Sequence, residues 1–378
     1  GHLFRELVLY RKNRNKLIKS MTGYLEFFEK LNKDDLLCIV NNGEGVLNIA
    51  AWLYCVKSKT KFIQNNWCGM IPGKRYMSKD ILKNRWIKKE HYDKELTREE
   101  NIVVKEFLNY SKEKKSIIGL GKLPILSLNN VKKFFGLLVD YYRDIKLINE
   151  IPSPFFFLSL HLIRYLNKIK SKRYHKHFDK TKKYFYFPLH EAFDSAVLIN
   201  HYRFFRQDKV IENIAKALPE DYILYVKEHP VTIGTTPLRW IKNISKLRNV
   251  TIIPSTTNSH DIVKDCAGVI TICSSTGWEA LQYRKPVVTV DSPFYMADGL
   301  TLDVKDFENT DKLKMKINMA IDKKIDINKV YKLANAVIKS HYDGSYFTHL
   351  TNFDYEYDTI KKLADSTIKE CEWEGDVL

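Results

Sequence analysis

Three short polar groups stand where apolar runs stop. The first is Pro188-Leu-His190, followed by Glu191 and Asp194; the second is Lys227-Glu-His-Pro230; the third is Ser274-Ser-Thr-Gly277. Their residue types suit one task, holding a phosphorylated ligand. Lys227 and His229 supply cationic donors, Ser274, Ser275 and Thr276 supply hydroxyls, and Gly277 would let the backbone approach a ligand closely. The third group also opens a helix, whose N-terminus presents unpaired N–H groups and a partial positive charge. Glu279, in the first turn of that helix, would cap it or meet a ribose hydroxyl. His190, Glu191 and Asp194 have the chemistry of an acid, a base or a nucleophile.

Each group also has an ordinary reading. Ser or Thr before a helix is a common cap. Proline ends a strand by removing a donor, and a histidine at a strand end is often only solvated. The coincidence of three such groups at corresponding strand ends is what singles them out.

The elements that must position them follow from apolar periodicity. Tyr184–His190, Tyr222–Lys227, Val250–Pro254, Gly268–Cys273 and Pro286–Val290 read as strands. Helical patterns run from about Asp208 to Leu218, Ser259 to Asp265 and Gly277 to Tyr283. Strands alternating with helices at this spacing predict a parallel, doubly wound α/β sheet, whose ligands bind at the carboxyl ends of strands. The first half holds one clear βαβ unit: strand Leu36–Val40, a joint at Asn41-Asn-Gly-Glu-Gly45, helix Val46–Val56 and strand Thr60–Gln64. Glu44 sits in that joint, either facing a cleft as a catalytic candidate or as a solvated first-turn glutamate. The stretch from Phe4 to Leu31 reads as amphipathic helix, 78–180 as mostly helical, and 310–378 as helical and charged.

Composition narrows the class. The chain has 378 residues, 44% of them hydrophobic, enough for two cores. No run of about 18 apolar residues occurs, so no bilayer-spanning helix is expected. No signal peptide is visible either. The opening Gly1-His2, without Met, points to a sequence truncated at its N-terminus. The six cysteines are scattered, which suits reduced, mostly buried thiols in a cytosolic protein. A formal charge of +17 admits nucleic acid, an anionic membrane surface or acidic small molecules as partners, or simply a lysine-rich composition. The basic segment 168–183 reads either as a linker or as a surface resting on anionic lipid. No nucleic-acid module accompanies it, so nucleic acid is not expected. Walker A, G-x-G-x-x-G and G-x-S-x-G patterns are absent, as are a D-x-D between strands and any His/Cys/Asp cluster; neither a metal nor a cofactor is expected.

Taken together, "YVKEHP" (225–230), "VITICSSTGWEALQYRKPVVTVDSPFY" (269–295) and "DGLT" (298–301) resemble the bacterial capsular polysaccharide biosynthesis family, which includes Kdo transferases. "YFPLHEAFDSAVL" (186–198) is similar to its F-P-L-H segment, and "CGMIPGKRYMSKDILKN" (68–84) to an N-L-P-G-K segment. Arg284 stands where that family usually has glycine before K-P.

The resemblance implies a GT-B-like fold, two Rossmann-like domains facing a cleft, here with a helical insertion and C-terminal helices. It implies an acceptor-side domain at 1–180, a nucleotide-sugar domain at 181–310 and returning helices at 311–378. It puts Lys227, His229, Pro230, Ser274, Ser275, Thr276 and Gly277 at the donor phosphate and Glu279 near the ribose. The implied activity is metal-independent transfer of a sugar, an acidic one such as Kdo from a CMP-activated donor, to a glycan or glycolipid acceptor. The expected location is the cytoplasm, at the inner face of the membrane. Two rivals remain open: a teichoic-acid-type glycerol or ribitol phosphotransferase using a CDP-activated donor, and a non-catalytic polysaccharide- or lipid-binding assembly factor.

Overall fold

The computed structural model describes residues 14–31, 37–41, 45–67, 71, 74–82, 85–113, 128–143, 154–192, 194, 196–343 and 357–377. Helix α1 (Arg14–Glu29) precedes the βαβ unit formed by β1 (Leu37–Asn41), α2 (Val46–Ser58) and β2 (Lys61–Trp67). β1 and β2 pair in parallel, from Leu37 opposite Lys61 to Asn41 opposite Asn65. A parallel pair needs a crossover, and α2 supplies it. Strand β3 (Lys74–Ser78), unannounced by any apolar run, returns antiparallel to β2. α2 buries Ile49, Ala50, Tyr54 and Cys55 with Phe28 of α1, Phe62 of β2 and Ile81.

After a single helical turn at Lys89–Tyr92 come α3 (Arg98–Glu113), α4 (Leu128–Arg143) and α5 (Pro154–Ser171). The second half alternates: β4 (Tyr184–Pro188), α6 (Gln207–Ala217), β5 (Ile223–Lys227), α7 (Leu238–Ile244), β6 (Val250–Ile253), α8 (Ser259–Asp265), β7 (Gly268–Thr271), α9 (Ser275–Gln282), β8 (Val287–Thr289) and β9 (Thr301–Asp303). All but α7 and β9 follow the apolar pattern of the sequence; these two were not announced by it. All neighbours in this sheet are parallel, in the order β6-β5-β4-β7-β8-β9. The first strand in sequence therefore lies in the middle, the arrangement of doubly wound dinucleotide-binding sheets.

Both faces of this sheet are covered, which is why its strands are continuously apolar rather than alternating. Successive side chains still point to opposite faces. Tyr184, Tyr186, Tyr225, Val269 and Val287 join one core, beneath α3, α8, α9 and the later helix α11. Phe185, Phe187, Leu224, Val226 and Ile270 join the other, beneath α6, α7 and α10. α10 (Thr310–Asp322) and α11 (Ile327–Lys339) start at side-chain caps, Asn309 and Asp326.

The chain then goes back to its first sheet. β10 (Tyr342–Asp343) pairs antiparallel with β3, giving the order β1-β2-β3-β10, and α12 (Tyr357–Glu372) lies against that sheet. Arg75 of β3, almost fully buried, donates to the Leu363 carbonyl at 3.1 Å and to the Ser366 hydroxyl of α12. A buried cluster fastens the return. Lys88 Nζ lies 3.1 Å from Glu370 Oε2 and 2.8 Å from the Tyr342 hydroxyl, which itself donates to Glu370 at 2.6 Å.

Breaking a buried pair from one side costs about 3–5 kcal/mol, because it strands the other charge, whereas apolar replacement of both partners is often neutral. Lys88→Met should accordingly lower the melting temperature steeply. The double variant Lys88→Met/Glu370→Leu should recover most of the loss in the same thermal melt.

Candidate active site

With β4 in the middle, the chain leaves it towards β5 on one side and reaches β7 on the other. A crevice opens outside the carboxyl ends of these strands, where doubly wound sheets bind ligands. All three polar groups of the second half are at this crevice. His190, Glu191 and Asp194 follow β4, Lys227, Glu228 and His229 close β5, and Cys273, Ser274 and Ser275 link β7 to α9.

His190 bridges two of the strand ends. Its Nε2 accepts the Cys273 backbone N–H at 3.3 Å and lies 3.4 Å from Cys273 Sγ. Its own backbone is held at both ends by Gln207, whose amide accepts from His190 N at 2.9 Å and donates to His190 O at 3.2 Å. An accepting Nε2 puts the ring proton on Nδ1, which is buried without a partner. Burial, with the nearby His201 and His229, pulls its pKa down to about 3. His190 is thus a neutral ring that pins β4 to β7.

Lys227 is buried, and burial pulls its ammonium down to about 8, against the opposing influence of Glu279. Glu279, on α9, is pushed up to about 7 by burial, with Lys227 working the other way. Each charge works against the desolvation of the other, and an entering phosphate anion would favour the charged form of Lys227. His229 is exposed; desolvation and Lys227 lower it, and Asp194 raises it. Burial and the neighbouring Asp194 raise the Glu191 carboxyl, while Arg164 opposes them. Glu228 is buried. Its Oε1 accepts the Gly234 N–H at 3.3 Å, so the carboxylate organises the loop that begins at Pro230.

The serine joint divides its work. Ser274 is the N-cap of α9, its Oγ accepting from Thr276 N at 3.2 Å. Thr276 is buried, and Ser275 is exposed at the first helical position. Gly277 does not serve ligand approach as its type suggested. A Cβ there would lie 2.1 Å from the Tyr295 hydroxyl, which occupies the space and donates to the Ser274 carbonyl at 2.6 Å. α9 ends in a Schellman motif, with Lys285 N donating to Ala280 O at 2.8 Å and Arg284 N to Leu281 O at 3.0 Å. Arg284 is therefore left-handed, at φ 56°.

Several contributors escaped the sequence reading. His201, buried, has Nδ1 3.0 Å from Asp291 Oδ2. Burial works to raise the Asp291 carboxyl, but His201 and the Ser292 amide hold it below the usual range. Gln207 and Tyr295 lie in apolar patterns and carry no motif; only the fold reveals their partners. Glu44 lies outside the described residues, as does part of the segment 68–84. Among the described residues no group of three or more His, Cys, Asp or Glu stands as a metal-ligand set. A cavity of about 320 Å³ lined by Trp52, Phe62, Lys79, Cys371 and Trp373 lies on the first sheet and holds none of these groups.

Residues 150–362, more than half of the chain, match the family model described as capsule polysaccharide biosynthesis protein. The chain belongs to that family. No curated protein matches the sequence. Among solved structures, this capsule polysaccharide biosynthesis protein is similar to Thermosulfurimonas dismutans KpsC, beta Kdo 2,7 transferase, at 15% identity over 94% of this chain and 90% of that one, with a TM-score of 0.39. It is also similar to Methanocaldococcus jannaschii UDP-GlcNAc 2-epimerase in complex with UDP-GlcNAc and UDP, at 13% identity over 86% and 80%, TM-score 0.32. Anabaena HepE in complex with UDP-glucose follows at 10% identity over 94% and 82%, TM-score 0.32. At these identities and TM-scores the likeness adds nothing to the α/β fold, two sheets flanked by helices.

Arg284 explains one departure of this capsule-family chain. Glycine occupies a left-handed position without the steric cost an arginine bears, roughly 1 kcal/mol. Arg284→Gly should raise stability by about 0.5–1 kcal/mol, read from denaturant midpoints. Acid should act through His190 and His341, whose folded pKa values burial lowers to about 3 and about 4 from the ordinary 6.5. Unfolding below pH 6.5 then takes up protons, so stability complete above that value drains towards pH 4 by about 1.4 kcal/mol per unit for each ring. A His190→Gln variant should show a shallower fall of melting temperature across that window.

Proposed function

We propose that this capsule-family protein is a glycosyltransferase of surface-polysaccharide assembly. In this reading it transfers an acidic sugar, such as Kdo, from a CMP-activated donor to a hydroxyl of a glycan or glycolipid acceptor. One observation carries it: Lys227 and His229 at the carboxyl end of β5 and the N-terminus of α9 after β7 stand on either side of β4 in a doubly wound sheet. Such a placement of donors suits the phosphate of an activated sugar.

The chemistry then assigns itself to groups already in place. The bond from the anomeric carbon to the donor phosphate oxygen breaks, and the acceptor oxygen takes its position on that carbon. Lys227, His229 and Ser275 meet the charge that builds on the departing nucleotide phosphate, with Pro230 shaping the turn that carries His229. Such donors can bear that charge without a metal. Glu279 lies on the ribose side. Asp194, exposed on the crevice, takes the acceptor proton, with Glu191 beside it; His190, neutral and engaged with Cys273, holds the strand ends in register. The part of the chain preceding residue 181 faces the acceptor, residues 181–310 hold the donor, and the helices beyond pack back on both. The reaction belongs in the cytoplasm, at the inner membrane face, where nucleotide-activated sugars and a lipid-linked acceptor meet.

A thermal-shift panel of CMP, CDP, UDP, UMP and GDP tests the donor. A nucleotide at a hundredfold excess over its Kd adds about 2.7 kcal/mol, and CMP should do so in the wild type but not in His229→Ala. Incubation with CMP-Kdo and CDP-glycerol in parallel should show turnover of the first. Turnover of CDP-glycerol alone would replace the reading with the phosphotransferase. Polysaccharide assembly unchanged in cells carrying His229→Ala would favour a non-catalytic factor.

A further inference from the structure

α5 has its polarity reversed. The side turned to the protein carries Arg164 and Asn167, while large apolar residues face outwards. Arg164 Nε donates to the Ile233 carbonyl at 3.0 Å, and Asn167 Nδ2 to the Gly234 carbonyl at 3.2 Å, so this polar side holds the loop that follows His229. The fit is close, since a Cβ on Gly234 would lie 2.2 Å from the Arg164 carbonyl oxygen. On the other side Phe155, Leu158, Leu162, Leu166 and Ile169 recur at helical spacing, each between 41% and 55% exposed. α4 packs beside it, with Phe134 and Phe155 rings 5.7 Å apart, and adds Phe135, Val139 and Tyr142, each about 60% exposed. A soluble helix normally buries such a stripe.

Charge says what covers it. Residues 151–178 contain no Asp or Glu, and Lys168, Lys170, Lys172, Arg173 and Lys176 are all exposed at the end of the stripe. A second copy packed on this face would bring like charges together. An anionic lipid surface matches both features, taking the apolar stripe between its headgroups and pairing the cations with its phosphates. Lysine stems also reach from an apolar face to a charged layer. No described helix is long and apolar enough to cross a membrane, so α5 would lie along the surface.

We propose that the α4–α5 pair is a docking surface for an anionic lipid bilayer, with α5 lying in the headgroup layer. Because α5 grips the loop after His229, docking sets the crevice at a fixed height above the membrane. The inference concerns location and stands on these two helices, whatever the donor turns out to be.

The test is vesicle flotation of the full chain, without donor or acceptor, on phosphatidylcholine vesicles with and without phosphatidylglycerol. The wild type should float with the anionic vesicles and be released by high salt. Leu158→Ser/Leu162→Ser/Leu166→Ser should lose at least tenfold in partitioning while keeping the wild-type circular dichroism and melting temperature. Lys168→Gln/Lys170→Gln/Lys172→Gln should lose roughly a hundredfold, at about 1 kcal/mol per cation. Equal flotation of wild type and leucine variant, or equal binding to neutral vesicles, overturns the proposal. So does a wild-type dimer in light scattering that the leucine variant converts to monomer without any vesicle binding by either, which would make the stripe an interface between copies.

Discussion

β4 is flanked by β5 on one side and β7 on the other, and both of its faces are buried. Parallel neighbours on each side force the chain to leave in one direction and return from the other, and the two connections cannot close over the gap between them. That gap is the crevice. Its floor is fixed where His190 accepts the Cys273 N–H, since this contact adds a side-chain link beyond the carboxyl ends of the paired strands β4 and β7. Around it, Gln207 holds the His190 backbone and Tyr295 holds the Ser274 carbonyl. His229 and Ser275, both exposed, stand on a frame of buried and hydrogen-bonded groups.

Much of this frame was legible in the sequence. Most strands and helices of the second half were written in apolar runs whose ends carry Pro188, Pro254 and the serine joint, so those strand ends could be read directly; α7 and the three-residue β9 could not. The first sheet was half legible. β1, α2 and β2 follow an ordinary βαβ pattern, but β3 is Lys-Arg-Tyr-Met-Ser and β10 only two residues long, too polar or too short to give a period. At the site, residue types located the crevice but not the division of labour. His190 read as a catalytic candidate, Ser274 as a phosphate ligand or a cap and Gly277 as room for a ligand; in the fold Ser274 caps α9, the Tyr295 hydroxyl fills the space beside Gly277, and His190 links β4 to β7. His201 and Asp291 could not be paired from sequence, because 90 residues and four strands separate them. Arg284 was visible as a departure from the family pattern, and its backbone conformation gives the reason glycine is usual there.

The helical middle shows the limit of pattern reading in another way. Periodicity identifies a helix and its apolar side without saying which side meets the protein. α5 reads as an ordinary amphipathic helix until Arg164 and Asn167 are seen to face inwards. Polar groups face the protein there and donate to the Ile233 and Gly234 carbonyls of the loop after His229, and a buried carbonyl left unpaired is costly. The same need that shapes the crevice therefore turns the apolar side of α5 outwards.

Synthesis runs from the N-terminus, and that gives the return of β10 and α12 a temporal meaning. The edge of the first sheet stays open, and its Arg75 lacks the carbonyls of α12, until residues beyond 342 have left the ribosome. The second sheet, complete by Asp303, has all its strands long before then. Newly made chains thus carry an unpaired β3 edge through most of their translation, the state in which exposed strands pair wrongly with one another. The basic Lys74 and Arg75 on that strand are well suited to discourage it, since a row of cations repels a second copy of itself.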